Sequence, residues 1–142
     1  PDEERQILEA ISGPGFAEIK QVVNRETLLN ARNVVKQLYI DDRIKEYIIK
    51  LSGATRKPEE VGLSDLATMI EVGASPRASI DLARAAKANA LIDNRAYVTP
   101  EDIKAIGAEV LRHRLVLSYE AEAEEIDSDE IVQRIFSSVE VP

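Results

Sequence analysis

Residues 73–78 read Gly-Ala-Ser-Pro-Arg-Ala, and this stretch decides the fold because it marks the start of an alanine-rich helix. Ser75 is a favourable N-cap residue, and Pro76 suits the first helical position, where a missing N–H costs nothing. Alanine has the highest intrinsic helix propensity, so the sequence predicts a helix from Pro76 to about Ile92.

Arg77 falls in the first turn of this predicted helix. A cation near the positive end of a helix dipole is unfavourable by roughly 0.3–1 kcal/mol. The position is better explained if an anion shares the site, because a helix N-terminus and a guanidinium together form a phosphate clamp. The alternative is structural: Arg77 pairs with Asp81, one turn later, or with Glu71.

Two further segments follow at characteristic spacing: Tyr-Val-Thr-Pro-Glu-Asp-Ile at 97–103 and Val-Leu-Arg-His-Arg-Leu-Val-Leu at 110–117. Together with 73–87, they resemble the sensor 2 segment and the following region of MoxR-type AAA+ ATPases. The resemblance covers essentially the whole chain. It implies the C-terminal lid domain of such an ATPase, with an all-α fold.

The resemblance also implies functional residues and partners. In that family the arginine of this segment reads the γ-phosphate of the nucleotide; here it corresponds to Arg77, with Ser75 and Pro76 on the phosphate side. ATP and Mg²⁺ are the implied cofactors of the full-length protein, and neither is expected to bind tightly to this chain alone. The implied partners are its own AAA+ core domain, neighbouring subunits of a hexamer and a von Willebrand factor A domain protein. The family is thought to act as chaperones.

Composition limits the other function classes. The chain has 142 residues, a net charge of −8, no cysteine and one histidine. This acidity disfavours a nucleic-acid platform, and the absence of cysteine rules out disulfides and thiolate metal sites. No metal site is predicted, and no apolar run approaches the roughly 20 residues of a membrane span. A cytoplasmic location is the expectation, and the start at Pro1 suggests a fragment of a longer protein.

Apolar spacing predicts a small bundle of five or six helices and allows one minor pair of short strands. The predicted helices cover about 1–11, 25–38, a segment from Asp41 or Asp42 to Leu51, 76–92, one from Pro100, and 128–138. Gly13-Pro14-Gly15 should end the first helix, and Asn24 should cap the second. Residues 64–70 predict either a helical turn or a strand, and 115–118 a short strand.

The predicted organisation is a helical lid at 1–118 and an acidic linker with a tail helix at 119–142. The tail helix should dock on the bundle through the apolar residues Ile131, Val132, Ile135 and Phe136. Gly107 lies inside a predicted helix at a cost of about 1 kcal/mol relative to alanine. We therefore expect another backbone to pack closely there.

The machinery of ATP hydrolysis is missing from this sequence. No G-x-x-x-x-G-K-[ST] loop occurs, and no strand ends in paired acids for Mg²⁺. The chain alone is therefore not expected to hydrolyse ATP, and it would contribute only Arg77 and the helix N-terminus to an assembled site.

Four other basic residues have two interpretations each. Arg112 and Arg114 could face nucleotide or a neighbouring subunit, but we favour neutralisation of carboxylates and of the preceding helix C-terminus. Arg56 and Lys57 could also contact nucleotide or a neighbouring subunit, but we favour a solvated loop for them. Two function classes remain: the lid of an AAA+ ATPase, or a non-enzymatic helical interaction module that binds through its acidic surface or tail helix.

Overall fold

The computed structural model describes residues 2–12 and 20–142. These residues form eight α-helices, two 3₁₀ turns (Pro58–Val61 and Arg112–Arg114) and two short strands. The order is α1 (Asp2–Ser12), α2 (Arg25–Gln37), α3 (Asp42–Ala54), α4 (Leu66–Met69), β1 (Ile70–Val72), α5 (Pro76–Ile92), α6 (Pro100–Leu111), β2 (Val116–Leu117), α7 (Tyr119–Ala123) and α8 (Ser128–Ser138). The chain divides into two compact units, 1–31 and 32–142.

The all-α prediction is confirmed, and the bounds of α5 agree with those expected. Six helices have 11 residues or more, as the apolar spacing predicted; α4 and α7 are short additions. Residues 64–70 satisfy both alternatives, because the single-turn helix α4 leads directly into β1. The acidic run contains α7, which Ser118 caps. The division of the chain at 118/119 stays a prediction.

Two helix ends differ from the expectations or fall outside the structure. α3 continues past Leu51 to Ala54, because Gly53 keeps a helical backbone and the cap forms at Thr55, whose N–H bonds to the Gly53 carbonyl. The predicted stop at Gly13-Pro14-Gly15 lies outside the described residues.

In the first unit, α1 is an amphipathic helix with three acidic residues in its first turn, a favourable arrangement for its dipole. Arg5 and Glu9 form an ion pair one turn apart at 3.0 Å. Asn24 caps α2 as predicted, since its Oδ1 accepts a hydrogen bond from the Thr27 N–H at 2.7 Å.

In the second unit, the core lies between α3, α5, α6 and α8. The buried face of α5 consists of small residues and one leucine: Ala78, Leu82, Ala86 and Ala90, all fully buried. Because alanine side chains are short, α5 can pack closely against α6, and these two helices form the most extensive contact between elements in the described part of the chain. The buried face of α6 includes Ile103 and Leu111, with Ile106 and Val110 half-buried beside them.

The tail helix α8 closes this core. Ile131, Val132 and Ile135 are buried, and Phe136 packs against them, so the predicted docking on the bundle is confirmed. The expectation for Gly107 was wrong in one respect: a side chain, not a backbone, fills the space. A Cβ on Gly107 would lie 2.7 Å from Cε2 of the Phe136 ring.

The two strands form a small antiparallel sheet next to residues 73–78. Ile70 pairs with Leu117, and Val72 pairs with Val116 across an irregular register. The strand before the Gly73–Ala78 segment is thereby fixed to the residues that follow α6. Across the described part of the chain, every helix is too short or too polar to cross a bilayer.

Candidate functional site

Arg77 lies in the first turn of α5, with its side chain exposed to solvent. Ser75 occupies the N-cap position with extended backbone angles, φ −72° and ψ 167°, and Pro76 is the first helical residue. Both positions agree with the prediction. The Ser75 hydroxyl, however, makes no capping hydrogen bond to the first turn.

The start of α5 differs in this respect from the starts of several other helices. The side chains of Asn24, Asp41, Ser118 and Asp127 accept hydrogen bonds from backbone N–H groups of α2, α3, α7 and α8 respectively. The first-turn amides of α5 have no such side-chain acceptor among the described residues. Pro76 has no N–H, and the Ala78 N–H already donates to the Ser75 carbonyl at 2.8 Å, so an external anion could serve as the acceptor of the Arg77 N–H.

The structural alternative for Arg77 is not observed. Asp81, its expected partner, instead pairs with Arg114 through Nη2···Oδ2 at 2.7 Å and lies 3.7 Å from Arg84. Among the described residues, the Arg77 guanidinium has no carboxylate within 4.0 Å, so the expected pairing with Glu71 is not observed either. The side chain is therefore available to an external anion.

The loop before Arg77 is attached to the end of α3, which sequence reasoning missed. Thr55 Oγ1 accepts a hydrogen bond from the Ala74 N–H at 2.9 Å. Arg56 Nη1 donates to the Ala74 carbonyl oxygen. No local signal could have shown this link, because Thr55 and Ala74 are 19 residues apart.

A buried ion pair holds the turn between α5 and α6. Asp102 is 1% exposed and accepts hydrogen bonds from Arg95, from Asn89 Nδ2 at 2.8 Å and from the Thr99 N–H at 2.8 Å. Burial alone raises the pKa of Asp102, but the bonds from Arg95, the Thr99 N–H and Asn89 outweigh it and hold this pKa well below its usual range. The predicted cap at Thr99 is confirmed as a capping box with Asp102.

The Arg112-His113-Arg114 segment follows the structural interpretation. Arg114 Nε donates to the Val110 carbonyl at 2.9 Å, and Arg112 pairs with Glu109 and Asp129 at 2.5 and 3.2 Å. His113 Nδ1 lies 3.0 Å from the Glu109 carbonyl oxygen, at donor distance. Arg112 and Arg114 thus bond to carbonyl groups at the end of α6, where positive charge is favourable.

The other basic residue of the 54–63 loop, Lys57, also has a partner. Lys57 pairs with Glu60 at 2.8 Å across a 3₁₀ turn. Within residues 2–12 and 20–142, no cluster of three or more histidine, aspartate or glutamate side chains is arranged to hold a metal ion. Arg77 thus differs from the other predicted site cations in having no partner among the described residues.

The chain is similar to proteins of one family. The AAA lid domain family matches residues 64–135. Chaperone MoxR1 of Mycobacterium tuberculosis is 36% identical over all 142 residues, which correspond to 37% of that protein. Protein MoxR of Paracoccus denitrificans is 33% identical over 118 residues, 79% of this chain and 34% of that protein.

A solved structure supports the same assignment. The crystal structure of a candidate ATPase from Cytophaga hutchinsonii superposes with a TM-score of 0.89 at 39% identity, over 99% of this chain and 43% of that one. The chain thus spans well under half the length of the relatives that it matches. By sequence and by fold, the chain belongs to the AAA lid domain family and is the lid of a MoxR-type AAA+ ATPase.

Proposed function

We propose that this lid binds the γ-phosphate of ATP through Arg77 in the full-length ATPase and thereby couples lid position to nucleotide state. The observation that supports this most directly is the exposed Arg77 guanidinium beside the N-terminus of α5, with no carboxylate partner among the described residues. A phosphate fits this donor set, since the Arg77 guanidinium and the Arg77 N–H are both hydrogen-bond donors and lie at the positive end of the α5 dipole.

In this proposal the lid supplies part of a shared site. Ser75 and Pro76 form the backbone entry of α5 on the phosphate side, and Arg77 supplies the charge. The AAA+ core would hold the rest of the nucleotide and its Mg²⁺, which neutralises charge on the transferring phosphoryl group. The residues of this chain bind and orient, and the chain alone hydrolyses nothing.

We extend the proposal to the assembly in which the lid works. The full-length protein would act in the cytoplasm as a ring, a hexamer, in which each lid contacts its own core and a neighbouring subunit. Its work would be chaperone-like remodelling of a client, with a von Willebrand factor A domain protein as the candidate partner. The chaperone-like role is supported by a relative whose name includes the word chaperone, MoxR1.

The interaction-module alternative loses one of its two supports. It assigned partner binding to the tail helix, but the apolar residues Ile131, Val132 and Ile135 of that helix are buried within this chain. The helix would have to leave its own core to bind a partner through that face. The lid assignment requires no such rearrangement.

The test is steady-state ATP turnover by the full-length ATPase that carries this lid. A charge-assisted hydrogen bond contributes roughly 1.5–3 kcal/mol, so Arg77→Ala should lower turnover about ten- to a hundredfold. Arg77→Lys should recover only part of this, because lysine keeps the charge and loses the planar fork. Arg84→Ala is the matched control, since Arg84 lies two turns further along the exposed side of α5, 77% exposed in its side chain.

Arg77→Ala and Arg84→Ala together separate the possible outcomes. Loss of turnover in Arg77→Ala with normal turnover in Arg84→Ala supports the phosphate contact. Wild-type turnover in Arg77→Ala rejects it. Circular dichroism melts of all three variants establish that the fold persists, which is expected because Arg77 is exposed.

A further inference from the structure

The segment that carries Arg77, residues 73–78, is hydrogen-bonded to the C-terminal end of α3 through two consecutive residues, Thr55 and Arg56. Both polar groups of Ala74 are engaged: its N–H donates to Thr55 Oγ1 at 2.9 Å, and its carbonyl accepts from Arg56 Nη1. Thr55 and Ala74 are completely buried. Water therefore cannot replace the Thr55 hydroxyl as the acceptor for the Ala74 N–H without opening the contact.

The two side chains that hold Ala74 are themselves fixed to α3. Thr55 Oγ1 also donates to the Ser52 carbonyl at 2.7 Å, and Arg56 Nη1 donates to the same carbonyl at 3.1 Å. One carbonyl at the end of α3 thus aligns both groups. The orientation of the Ala74 peptide follows from the end of α3 and not from α5 alone.

The contact leaves no space for adjustment at Gly73. A Cβ at this position would overlap the Thr55 carbonyl group, lying 2.7 Å from its carbon and 2.8 Å from Arg56 Cγ. A glycine is required here because two stretches of backbone touch. The loop therefore sits in one position relative to α3.

We propose that Thr55 and Arg56 are positioning residues for Arg77, and this inference rests on the proposed phosphate-binding function. Ala74 precedes Arg77 by three residues, and between them lie only the N-cap Ser75 and the conformationally fixed Pro76. A displacement of Ala74 is passed on to the first turn of α5. Misplacement of a charged group by about 1 Å can cost on the order of a hundredfold in rate.

These contacts set the direction of the helix start, whereas other contacts hold the body of the helix. α5 is anchored further along by its buried alanine face and by the Asp81–Arg114 ion pair. Loss of the Thr55 hydroxyl should therefore release residues 73–78 without unfolding α5. The effect should appear at Arg77 and depend on Arg77.

The experiment uses the full-length ATPase and combines turnover with hydrogen exchange of the peptide that covers 73–78. Thr55→Val removes the acceptor of the Ala74 N–H at nearly constant shape, and Thr55→Ser retains the hydroxyl. Arg56→Ala removes the second link from an exposed side chain, so it keeps the test open if Thr55→Val fails to fold. Lys45→Ala is the control on α3, since Lys45 pairs with Asp42 at the opposite end of that helix.

We expect Thr55→Val and Arg56→Ala each to lower turnover about tenfold and to speed hydrogen exchange in residues 73–78. Thr55→Ser and Lys45→Ala should behave as wild type. In an Arg77→Ala background, neither Thr55→Val nor Arg56→Ala should lower turnover further, because the group being positioned is gone.

Four results would overturn the inference. Exchange in 73–78 that is unchanged in both Thr55→Val and Arg56→Ala shows that the links do not hold the segment. Equal losses of turnover with and without Arg77 show a general structural effect. Wild-type turnover in both variants, while Arg77→Ala loses activity, rejects positioning and leaves the phosphate contact standing. Wild-type turnover in Arg77→Ala instead rejects the proposed function itself, and with it the inference that Thr55 and Arg56 position Arg77 for phosphate binding.

Discussion

Arg95 and Asp102 face each other in a two-contact ion pair, with Nη1···Oδ2 at 2.7 Å and Nη2···Oδ1 at 2.5 Å. Asp102 also accepts from Asn89 on α5 and from the backbone of Thr99. A single buried carboxylate therefore joins the end of α5, the following turn and the start of α6. It is the group on which the α5–α6 connection depends.

Asp102→Asn should destabilise the domain by about 3 kcal/mol at neutral pH, because it breaks a buried ion pair and leaves Arg95 without its main partner. Urea unfolding monitored by circular dichroism measures this. Asp93→Asn is the control: Asp93 also pairs with Arg95, at 3.0 Å, but is 55% exposed, so its loss should cost under about 1 kcal/mol. Similar losses for the two variants would contradict a special role for Asp102.

The same pair predicts a pH dependence. The pKa of Asp102 is held below its usual range in the folded state, so its contribution to stability is complete above the unfolded pKa of about 3.9. This contribution should fall as the pH drops below about 4 and approaches the folded pKa. Between pH 7 and pH 3, the difference in unfolding free energy between wild type and Asp102→Asn should therefore shrink; a constant difference would show that the charge is not responsible.

Gly107→Ala should destabilise the domain by about 1 kcal/mol despite the higher helix propensity of alanine. The gain from propensity is about 1 kcal/mol, whereas overpacking typically costs about 1–3 kcal/mol, and the new Cβ meets the Phe136 ring. In a Phe136→Leu background, the same change should become neutral or stabilising. Thermal melts of wild type, the two single variants and the double variant give the coupling free energy between positions 107 and 136. Additive effects would mean that the Phe136 ring does not fill the space above Gly107.

Ile135→Ala should cost about 2–5 kcal/mol, since Ile135 is a fully buried residue of the tail helix α8 and its loss leaves a cavity. Ile92→Ala, at a side chain that is 77% exposed, should change stability by less than about 0.5 kcal/mol. Chemical unfolding compares the two substitutions directly. If Ile135→Ala proved as mild as Ile92→Ala, α8 would not be part of the folded core in solution.

Tyr47→Phe should leave stability unchanged or raise it by up to about 1 kcal/mol. Tyr47 is 2% exposed, and among the described residues its hydroxyl has no hydrogen-bond partner. Burial, and then the charge of Glu101, raises the pKa of Tyr47, so above about pH 10 the unfolded chain loses the phenolic proton before the folded chain does. Wild type should therefore lose stability relative to Tyr47→Phe as the pH rises above about 10. A loss of several kcal/mol in Tyr47→Phe would reveal an acceptor that this account lacks.

Much of the fold follows from local sequence. The bounds of α5 were predictable because Ser75-Pro76 begins a helix and Asp93-Asn94 ends one, with Asn94 in the left-handed region at φ 57°. The start of α6 was predictable from Thr99 and Asp102, which are three residues apart and form a capping box. These signals act within one or two turns, so no tertiary information is needed to read them.

The candidate site was predictable only in part. The position of Arg77 in the first turn of α5 follows from Ser75-Pro76, but the identity of the residues around it does not. Asp81 pairs with Arg114, which is 33 residues away, and the Ala74 N–H donates to Thr55, which is 19 residues away. Such pairings depend on how helices pack, and the missing side chain of Gly107 likewise gave no indication of whether a ring or a backbone would occupy its place.

The alanine face of α5 has a consequence for mutational tolerance. Alanine is ordinarily among the most replaceable residues of a helix, yet Ala78, Ala86 and Ala90 are completely buried at a close helix–helix contact. Every natural substitution except glycine adds volume where none is free, and overpacking of this kind costs about 1–3 kcal/mol per site. In a saturation scan, these three positions should accept fewer replacements than the large exposed residue Ile80 on the same helix, so sensitivity to substitution here runs opposite to side-chain size.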